Sequence, residues 1–475
     1  MKERLRRALA GRYPTLKPYQ LNRCVNKYVA ELIGELALQI STGNVESGEI
    51  DFASDGVRAR CNRVKIDGAQ RYVLSVMHEH PSTALVLVVY EGNSITHEIS
   101  KVIFNPRYKK DILEELQRES LVQELNPTYL DELETKANWD VCVDVKALAS
   151  YIKATRAALA KPGQQEGYIE TLTANLLIAN VLLGRVRVVA GKDVLREYWE
   201  QTDCGRVYGH GLSLQRVPRQ VRNAALGPCH KYDFKASSYA LMTSLALQID
   251  PTLKVAAIKD YIKYRSAIRK RIAAEVGISE EWMKEIFTAI GFGAKTSDNP
   301  FSYVRSKLGS EKYNLLMAND EFMYIKIQFD AITEVIAKAF PNDGFEFFGR
   351  TYSNIDPKRK TKRSKAQKLA WIYQCMESAA MQSFVDLAKE PPLLAAHDCL
   401  FFKNKLPLSS ESDIRYKLNQ EFSLLNFEHQ EVMPIGFSDT SIDAGIAGHK
   451  RFIMEQEYAA ASYTSPIDLF KEDSQ

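Results

Sequence analysis

The sequence predicts a mixed α+β protein in which helices and strands occupy separate stretches. Residues 2–42 repeat apolar positions at helical spacing, and Pro14 and Pro18 divide a short helix from a longer one. From about residue 49 to 105 the pattern changes to strands, with a hairpin turning at Asp67-Gly68 and a buried strand over 84–90. Further along, strand-like segments around two isolated aspartates flank longer helical patterns. This alternation predicts several domains.

The chain of 475 residues has room for two to four domains. Residues 1–160 predict an N-terminal α/β domain of helices and a small sheet. The segment Lys161-Pro-Gly-Gln-Gln-Glu has the composition of a linker. We expect linking helices over 161–204 and the main body of the protein over 205–475.

Composition predicts a soluble, cytoplasmic protein. Lys and Arg number 63 against 59 Asp and Glu, a net charge of +4, so affinity for nucleic acid would depend on local patches. The seven cysteines form no Cys-x-x-Cys pair, which favours a reducing compartment over a zinc site or disulfide framework. No long uninterrupted apolar segment of membrane length is expected.

Two aspartates stand in apolar surroundings. Asp233 follows a short strand-like segment that gives way to a helical pattern, which predicts a carboxylate at a strand end. Asp398 lies between two apolar runs in a predicted strand-turn-strand hairpin. A single aspartate of this kind is more often a turn or capping residue than a metal ligand. Only the two together, with the segment between them, suggest a shared site.

That intervening segment predicts a helix that begins near Ser279, an N-cap followed by two glutamates. Lys284, Thr288 and Phe292 are spaced four apart and share one face. Taken alone, Lys284 would be a solvated helix residue, and Phe292-Gly293 the end of a helix.

Together the three elements fit the chemistry of nucleotide addition. Attack of a 3′-hydroxyl on an α-phosphate uses two divalent ions, and Mg²⁺ needs only one or two carboxylates besides the phosphates. A cation on a rigid helix offsets the charge of the triphosphate. We expect Asp233 and Asp398 to hold two Mg²⁺ ions and Lys284 to contact the nucleotide.

The order of these motifs resembles that of family-A DNA polymerases and phage-type single-subunit RNA polymerases. Motif A of that superfamily matches the segment from Asp233 to Tyr239, motif B matches Lys284 with Phe292 and Gly293, and motif C matches His397-Asp398. Upstream, Gly205-Arg-Val-Tyr and 214–222 resemble the entry into the palm. The resemblance covers roughly residues 170–430. It implies a right-hand polymerase fold, with thumb-like helices over 161–204 and palm and fingers over 205–475.

Motif details favour RNA synthesis. The DNA polymerases usually carry a glutamate five residues after the motif A aspartate, where this chain has Ser238, and a glutamate after the motif C aspartate, where it has Cys399.

Two other positions depart from the family pattern. The RNA polymerases have a motif B tyrosine where this chain has Phe292. Both relatives usually have an arginine where this chain has Glu280, one turn before Lys284. We expect that missing charge to come from Arg265, Arg269, Lys270 or Arg271.

The resemblance also implies partners: a DNA template, an RNA product and nucleoside triphosphates. An accessory protein for promoter or template loading is expected, because the N-terminal region differs from that of the larger RNA polymerases. Residues expected to contact nucleic acid are Gln215, Arg219, Arg222, Lys358, Arg359, Lys360, Lys362 and Arg363. All could equally be ordinary surface or loop residues.

The predicted function is therefore that of a compact DNA-dependent RNA polymerase. Two alternatives remain open: a family-A-like DNA polymerase or primase of a phage or plasmid, and a catalytically silent nucleic-acid-binding protein on a polymerase fold. Retention of Asp233, Lys284 and Asp398 argues against the silent protein.

Overall fold

The computed structural model describes residues 1–41, 45–46, 49–52, 54–61, 63–90, 100–118, 137–291, 293–294, 296–299, 302–356, 360–396 and 398–434. Over these residues the protein is mixed α+β, as the sequence predicts. The chain divides into two compact units. The first contains Met1–Tyr198 and Gly209–Gly227, and the second contains Trp199–Tyr208 and Pro228–Val432.

The first unit contains most of the N-terminal helices and strands. Its helices are α1 (Lys2–Arg12), α2 (Pro18–Ser41), α3 (Ser54–Cys61), α4 (Val73–His78), α5 (Lys109–Leu116), α6 (Val145–Leu159), α7 (Glu166–Gly184) and α8 (Arg219–Leu226). Its strands are β1 (Val45–Glu46), β2 (Glu49–Phe52), β3 (Arg63–Ile66), β4 (Ala69–Tyr72), β5 (Val86–Tyr90), β6 (Ser100–Phe104), β7 (Ala137–Cys142) and β8 (Arg187–Val189). The chain crosses between the units within β9 (Lys192–Gln201) and β10 (Val207–Gly209).

Several N-terminal predictions are confirmed. The two expected helices form on either side of Pro14, and the hairpin turns at Asp67-Gly68, both with positive φ, the geometry of a type I′ turn. The strand expected over 84–90 forms, but Val88 and Val89 are 45% and 47% exposed, so the expectation of a fully buried strand is wrong. The expected linker at 161–166 lies between α6 and α7, both in the first unit.

Helix α7 is the one described helix that reaches membrane length and is largely apolar. Its 19 residues are long and apolar enough to cross a membrane by length and composition. Half of this stretch is buried inside the protein, where α7 packs against α6 and Asn175 donates to the Tyr151 hydroxyl at 3.1 Å. Glu166, Glu170 and Asn175 interrupt it, so it is not a long uninterrupted apolar segment. Its packing is that of a core helix.

The second unit contains the predicted site. Its helices are α9 (Ser237–Ile249), α10 (Ala256–Val276), α11 (Glu280–Gly291), α12 (Tyr303–Met317), α13 (Asp320–Ala339), α14 (Lys365–Ala388) and α15 (Leu408–Glu421). Its strands are β11 (Cys229–Phe234), β12 (Glu346–Phe347), β13 (Arg350–Thr351), β14 (Leu394–Ala396), β15 (Cys399–Phe402) and β16 (Phe427–Val432).

Four of these strands form an antiparallel sheet in the order β14-β15-β11-β16. Residues of β11 alternate between buried Tyr232 and Phe234 and partly exposed Lys231 and Asp233, as the two faces of a sheet require. The buried side packs on α9 and α14, where Phe384 lies against Tyr232 and Phe234. The other face carries Lys231 and Asp233 beside the buried Phe401 and Cys399 of β15.

Candidate active site

Strand pairing brings Asp233 and Asp398 side by side. Asp233 is directly opposite Cys399, the residue that follows Asp398, in the β11–β15 register. The Phe234 amide donates to the carbonyl of Asp398 at 3.1 Å. Asp398 lies in the turn between β14 and β15, so the predicted hairpin is confirmed, while His397 lies outside the described residues. Two carboxylates far apart in sequence thus meet at one end of the sheet.

A tight turn connects this strand to the next helix. Ala236 adopts the left-handed conformation (φ 47°, ψ 45°), which is costly for a residue with a side chain. This turn redirects the chain within three residues of Asp233 and starts α9 at Ser237. The predicted change from strand to helix is confirmed here.

The carboxylate pair is electrostatically unfavourable. Burial, then repulsion from Asp233 and Glu377, raises the pKa of Asp398 to about 7, although Lys231 and Arg206 act in the opposite direction. Lys231 donates to the Oδ2 atom of Asp233 at 2.9 Å. The site therefore carries more negative charge than its own cations offset, which favours binding of a further cation.

A buried network lies beside Asp398. Glu377 on α14 is 1% exposed, and its Oε2 atom lies 3.2 Å from the Nε atom of Arg206. Tyr373 donates to the other oxygen of Glu377 and is within 3.0 Å of the Ser237 hydroxyl. Burial opposes the charge of Arg206, but Glu377 and other acidic neighbours raise its pKa overall. The network joins the start of α9 to α14 and fixes one side of the carboxylate pair.

Part of this network could be predicted from the sequence. Arg206 belongs to the Gly205-Arg-Val-Tyr segment already singled out as an entry to the palm. Glu377 was missed, because a single glutamate within a helical pattern resembles a solvated residue. Its spacing of four from Tyr373 on the face that also carries buried Ala380 and Phe384 was the available signal.

The helix that carries Lys284 packs closely against α9. The Tyr239 hydroxyl donates to the carbonyl of Phe287 at 2.6 Å. A Cβ atom built on Gly291 would lie 2.8 Å from the Ser238 hydroxyl, so a larger residue would separate the two helices. The predicted start is confirmed, since the Ser279 hydroxyl accepts from the Trp282 amide at 3.2 Å.

Lys284 itself is partly exposed, seven residues and therefore about 10 Å of helix axis from Gly291. Gly293 has φ 89° and follows the end of the helix, as a glycine C-cap does. Phe292 lies outside the described residues. The structure thus brings Ser238 next to the end of α11.

The donor set fits magnesium better than a transition metal. Asp233 and Asp398 supply hard oxygen ligands, while the Cys399 thiol donates to the Ala396 carbonyl at 3.0 Å. In the described ranges no group of three or more His, Cys, Asp or Glu side chains is arranged to hold a metal. Two carboxylates are enough for Mg²⁺ when waters or substrate phosphates complete its coordination.

The expected nucleic-acid residues of the first unit differ in their surroundings. Arg219 is exposed at the start of α8. Gln215 is buried and accepts from the Gly209 amide at 2.7 Å. Arg222 is partly buried and directs one guanidinium nitrogen to the Gln215 carbonyl at 3.4 Å. Of the three, Arg219 is the most accessible to a phosphate.

The residues of the expected basic patch, 358–363, also differ in their surroundings. Lys358 and Arg359 lie outside the described residues, and Lys360 and Lys362 are exposed. Arg363 is 7% exposed at its side chain, binds Asp203 at 2.6 Å and stacks near Tyr352. Arg363 therefore works as a structural residue in this conformation.

The cations proposed to replace the arginine expected at Glu280 are largely engaged. Arg265 binds Glu428 at 3.1 Å, Arg269 donates to the Tyr261 hydroxyl at 2.7 Å, and Arg271 pairs with Glu321. Lys270 is exposed, with its Nζ atom 3.9 Å from Glu280. Only Lys270 of the four reaches solvent without a close hydrogen-bond partner among the described residues.

No protein-family model matches this chain, and a search of curated proteins found no match.

Proposed function

We propose that this protein is a template-directed nucleotidyltransferase with a right-hand polymerase fold, and specifically a compact DNA-dependent RNA polymerase. The reaction is transfer of a nucleotidyl group from a nucleoside triphosphate to a 3′-hydroxyl, with release of pyrophosphate.

One observation carries the proposal: Asp233 and Asp398 are neighbours on an antiparallel sheet, and the pKa of Asp398 is raised in part by Asp233. Like charges held close together cost stability, so a carboxylate pair of this kind is favoured where a cation or a reaction uses it. The order of a strand-end aspartate, a helix with Lys284 and a hairpin aspartate adds support from the sequence.

The residues have distinct parts in the proposed mechanism. Asp233 and Asp398 would hold Mg²⁺. When bound, this ion would activate the attacking hydroxyl as a nucleophile and offset the charge on the phosphates. Lys284 contacts the triphosphate from a helix fixed by Tyr239 and Gly291. Because this support is rigid, the lysine needs no rearrangement as charge develops.

The sugar preference rests on Ser238. A small residue leaves room for a ribose 2′-hydroxyl, which supports RNA synthesis. The close approach of Gly291 gives a second reason for a small side chain at this position, since a glutamate there would overfill the contact between α9 and α11. Sugar preference therefore has to be measured.

The test is incorporation by the purified protein on single-stranded DNA with Mg²⁺. Ribonucleotides and deoxynucleotides are supplied in separate reactions, each with and without primer, and products are resolved on a gel. Ribonucleotide incorporation supports the proposal. Primer-dependent incorporation of deoxynucleotides alone would assign the alternative, a DNA polymerase. Absence of product with every template, primer and nucleotide, while template is still bound, would favour the silent binding protein.

A further inference from the structure

Helix α10 presents an exposed basic and aromatic face that the proposed active site does not use. Its buried residues, including Ile258, Tyr261, Ile268 and Ile272, pack toward α11 and α13. Lys259, Lys263 and Tyr264 of the same helix are exposed. We call these three residues the α10 face. Lys259 and Lys263 are four residues apart and therefore one turn apart on the same side of the helix.

Tyr264 lies where the helix is broken. Its backbone (φ −117°, ψ 25°) departs from helical values within an otherwise continuous helix. Its ring is 50% exposed, and the Lys263 Nζ atom lies 4.8 Å from the ring centroid. A large aromatic ring held in solvent at a helix break, beneath a cation, adds little to the core. It is available as a stacking platform.

The lysines of this face differ from the arginines on the same helix. Arg265, Arg269 and Arg271 bind Glu428, Tyr261 and Glu321, respectively. In the described part of the chain, neither Lys259 nor Lys263 lies within ion-pair distance of a carboxylate. Lys263 also interacts with the Tyr264 side chain, which raises the pKa of the lysine, and both lysines keep their charge in solvent.

The acidic groups around α10 are concentrated elsewhere. Glu280 accepts from Ser266 and faces Lys270, nearer the C-terminal end of the helix. Among the described residues, Asp260 is the acidic group next to Lys259, Lys263 and Tyr264 on the exposed side of the helix. The face thus keeps a positive charge with one opposing carboxylate.

We propose that the α10 face binds an unpaired strand of DNA, with phosphates on Lys259 and Lys263 and one base stacked on Tyr264. Alternating cations and aromatic rings suit single strands because phosphates and unstacked bases alternate along them. A paired base would have no free face for Tyr264. Asp260 repels the same phosphates and lowers the affinity.

The proposal goes beyond the proposed reaction and is tested apart from it. Fluorescence anisotropy of a labelled 20-nucleotide single strand is measured with the full chain in EDTA, without nucleoside triphosphates, at several salt concentrations. Failure of polymerase activity leaves this measurement unaffected.

Replacing both lysines (K259Q/K263Q) should weaken binding and make the slope of log K against log salt less negative by about 1.4, because each single-strand phosphate contact contributes about 0.7. The matched control is K146Q/K153Q, which changes two exposed lysines seven residues apart on α6. It should leave the slope unchanged. Equal slopes for both double variants would overturn the proposal.

The aromatic ring is tested separately. Y264A should weaken single-strand binding at least about fivefold, since stacking of one base contributes about 1 kcal/mol or more. Y264F should retain affinity, and Y416A, which removes another exposed tyrosine, serves as control. A duplex of the same length should be bound no more weakly by Y264A than by the wild type. If Y264A lost affinity for the single strand and for the duplex by the same factor, the proposed stacking role of Tyr264 would be overturned.

D260N provides a gain-of-affinity test, because it removes the opposing charge without changing side-chain size. It should tighten binding about twofold to fivefold at low salt, with the gain fading as salt screens the charge. Unchanged affinity at low salt would count against phosphates at this face. RNA of the same sequence bound more than tenfold tighter than DNA would overturn the assignment to a DNA strand.

Discussion

The acidic pair and the basic run at 358–368 are organised in opposite ways. Asp233 and Asp398 are far apart in sequence and become neighbours through pairing of β11 with β15. In the basic run, residues adjacent in sequence enter different surroundings: Lys362 is exposed, and Arg363 binds Asp203. Lys368 donates to the carbonyls of Ala337 and Phe340 near the end of α13. Density of charge along a sequence is therefore a poor guide to a surface patch.

The first prediction asks which cation matters for the reaction. K284A should lower ribonucleotide incorporation about 10²–10³-fold, since it removes a preorganised charge from the triphosphate. K360Q/K362Q should change template affinity several-fold and leave the maximal rate nearly unchanged. The measurement is steady-state incorporation with saturating template. If both variants lost maximal rate equally, the account that Lys284 serves the reaction and the basic run serves template binding would be contradicted.

The second prediction concerns Arg363. R363Q should lower the free energy of unfolding by about 1–2 kcal/mol, because it removes the partner of the partly exposed Asp203 and loses packing over Tyr352. K362Q, one residue away and exposed, should change it by less than about 0.5 kcal/mol. Urea denaturation followed by circular dichroism gives both values. If R363Q left the free energy of unfolding unchanged, Arg363 would have no structural role and could contact nucleic acid as a surface residue.

The third prediction concerns the charge of Asp398 in the absence of metal. Its pKa of about 7 lies above the ordinary value of about 4, so the folded protein holds an extra proton between these pH values. The stability contributed by that proton is present at low pH and is lost as the pH rises through about 7. D398N should therefore be more stable than the wild type at pH 8, by about 1–2 kcal/mol, and the difference should shrink at pH 5.

Thermal denaturation in EDTA at the two pH values measures this difference. Adding Mg²⁺ at pH 8 should raise the melting temperature of the wild type more than that of D398N, because only the wild type has the complete pair of carboxylates. A D398N variant that loses stability equally at both pH values would show that Asp398 is not repelled in the folded protein.

Local patterns predicted much of the second unit. The strand before Asp233, the hairpin around Asp398 and the N-cap at Ser279 all have short-range signals, and all three form. The type I′ turn at Asp67-Gly68 was equally readable, because both positions require positive φ.

What the sequence could not provide was long-range pairing. Nothing in the segments themselves indicates that β11 lies between β15 and β16, or that Glu377 and Arg206 meet beside Asp398. Burial of Arg363 and Lys368 likewise depends on partners distant along the chain.

The most direct test of the central claim is Mg²⁺-dependent incorporation of a labelled ribonucleotide on single-stranded DNA by the wild type, D233A and D398A in parallel. Template binding by each protein, measured in EDTA, is the control for folding. The account predicts extension by the wild type and a loss of about 10³-fold or more in both variants, with template binding retained. Wild-type activity that persists in either variant would contradict the assignment of Asp233 and Asp398 as the metal-binding pair.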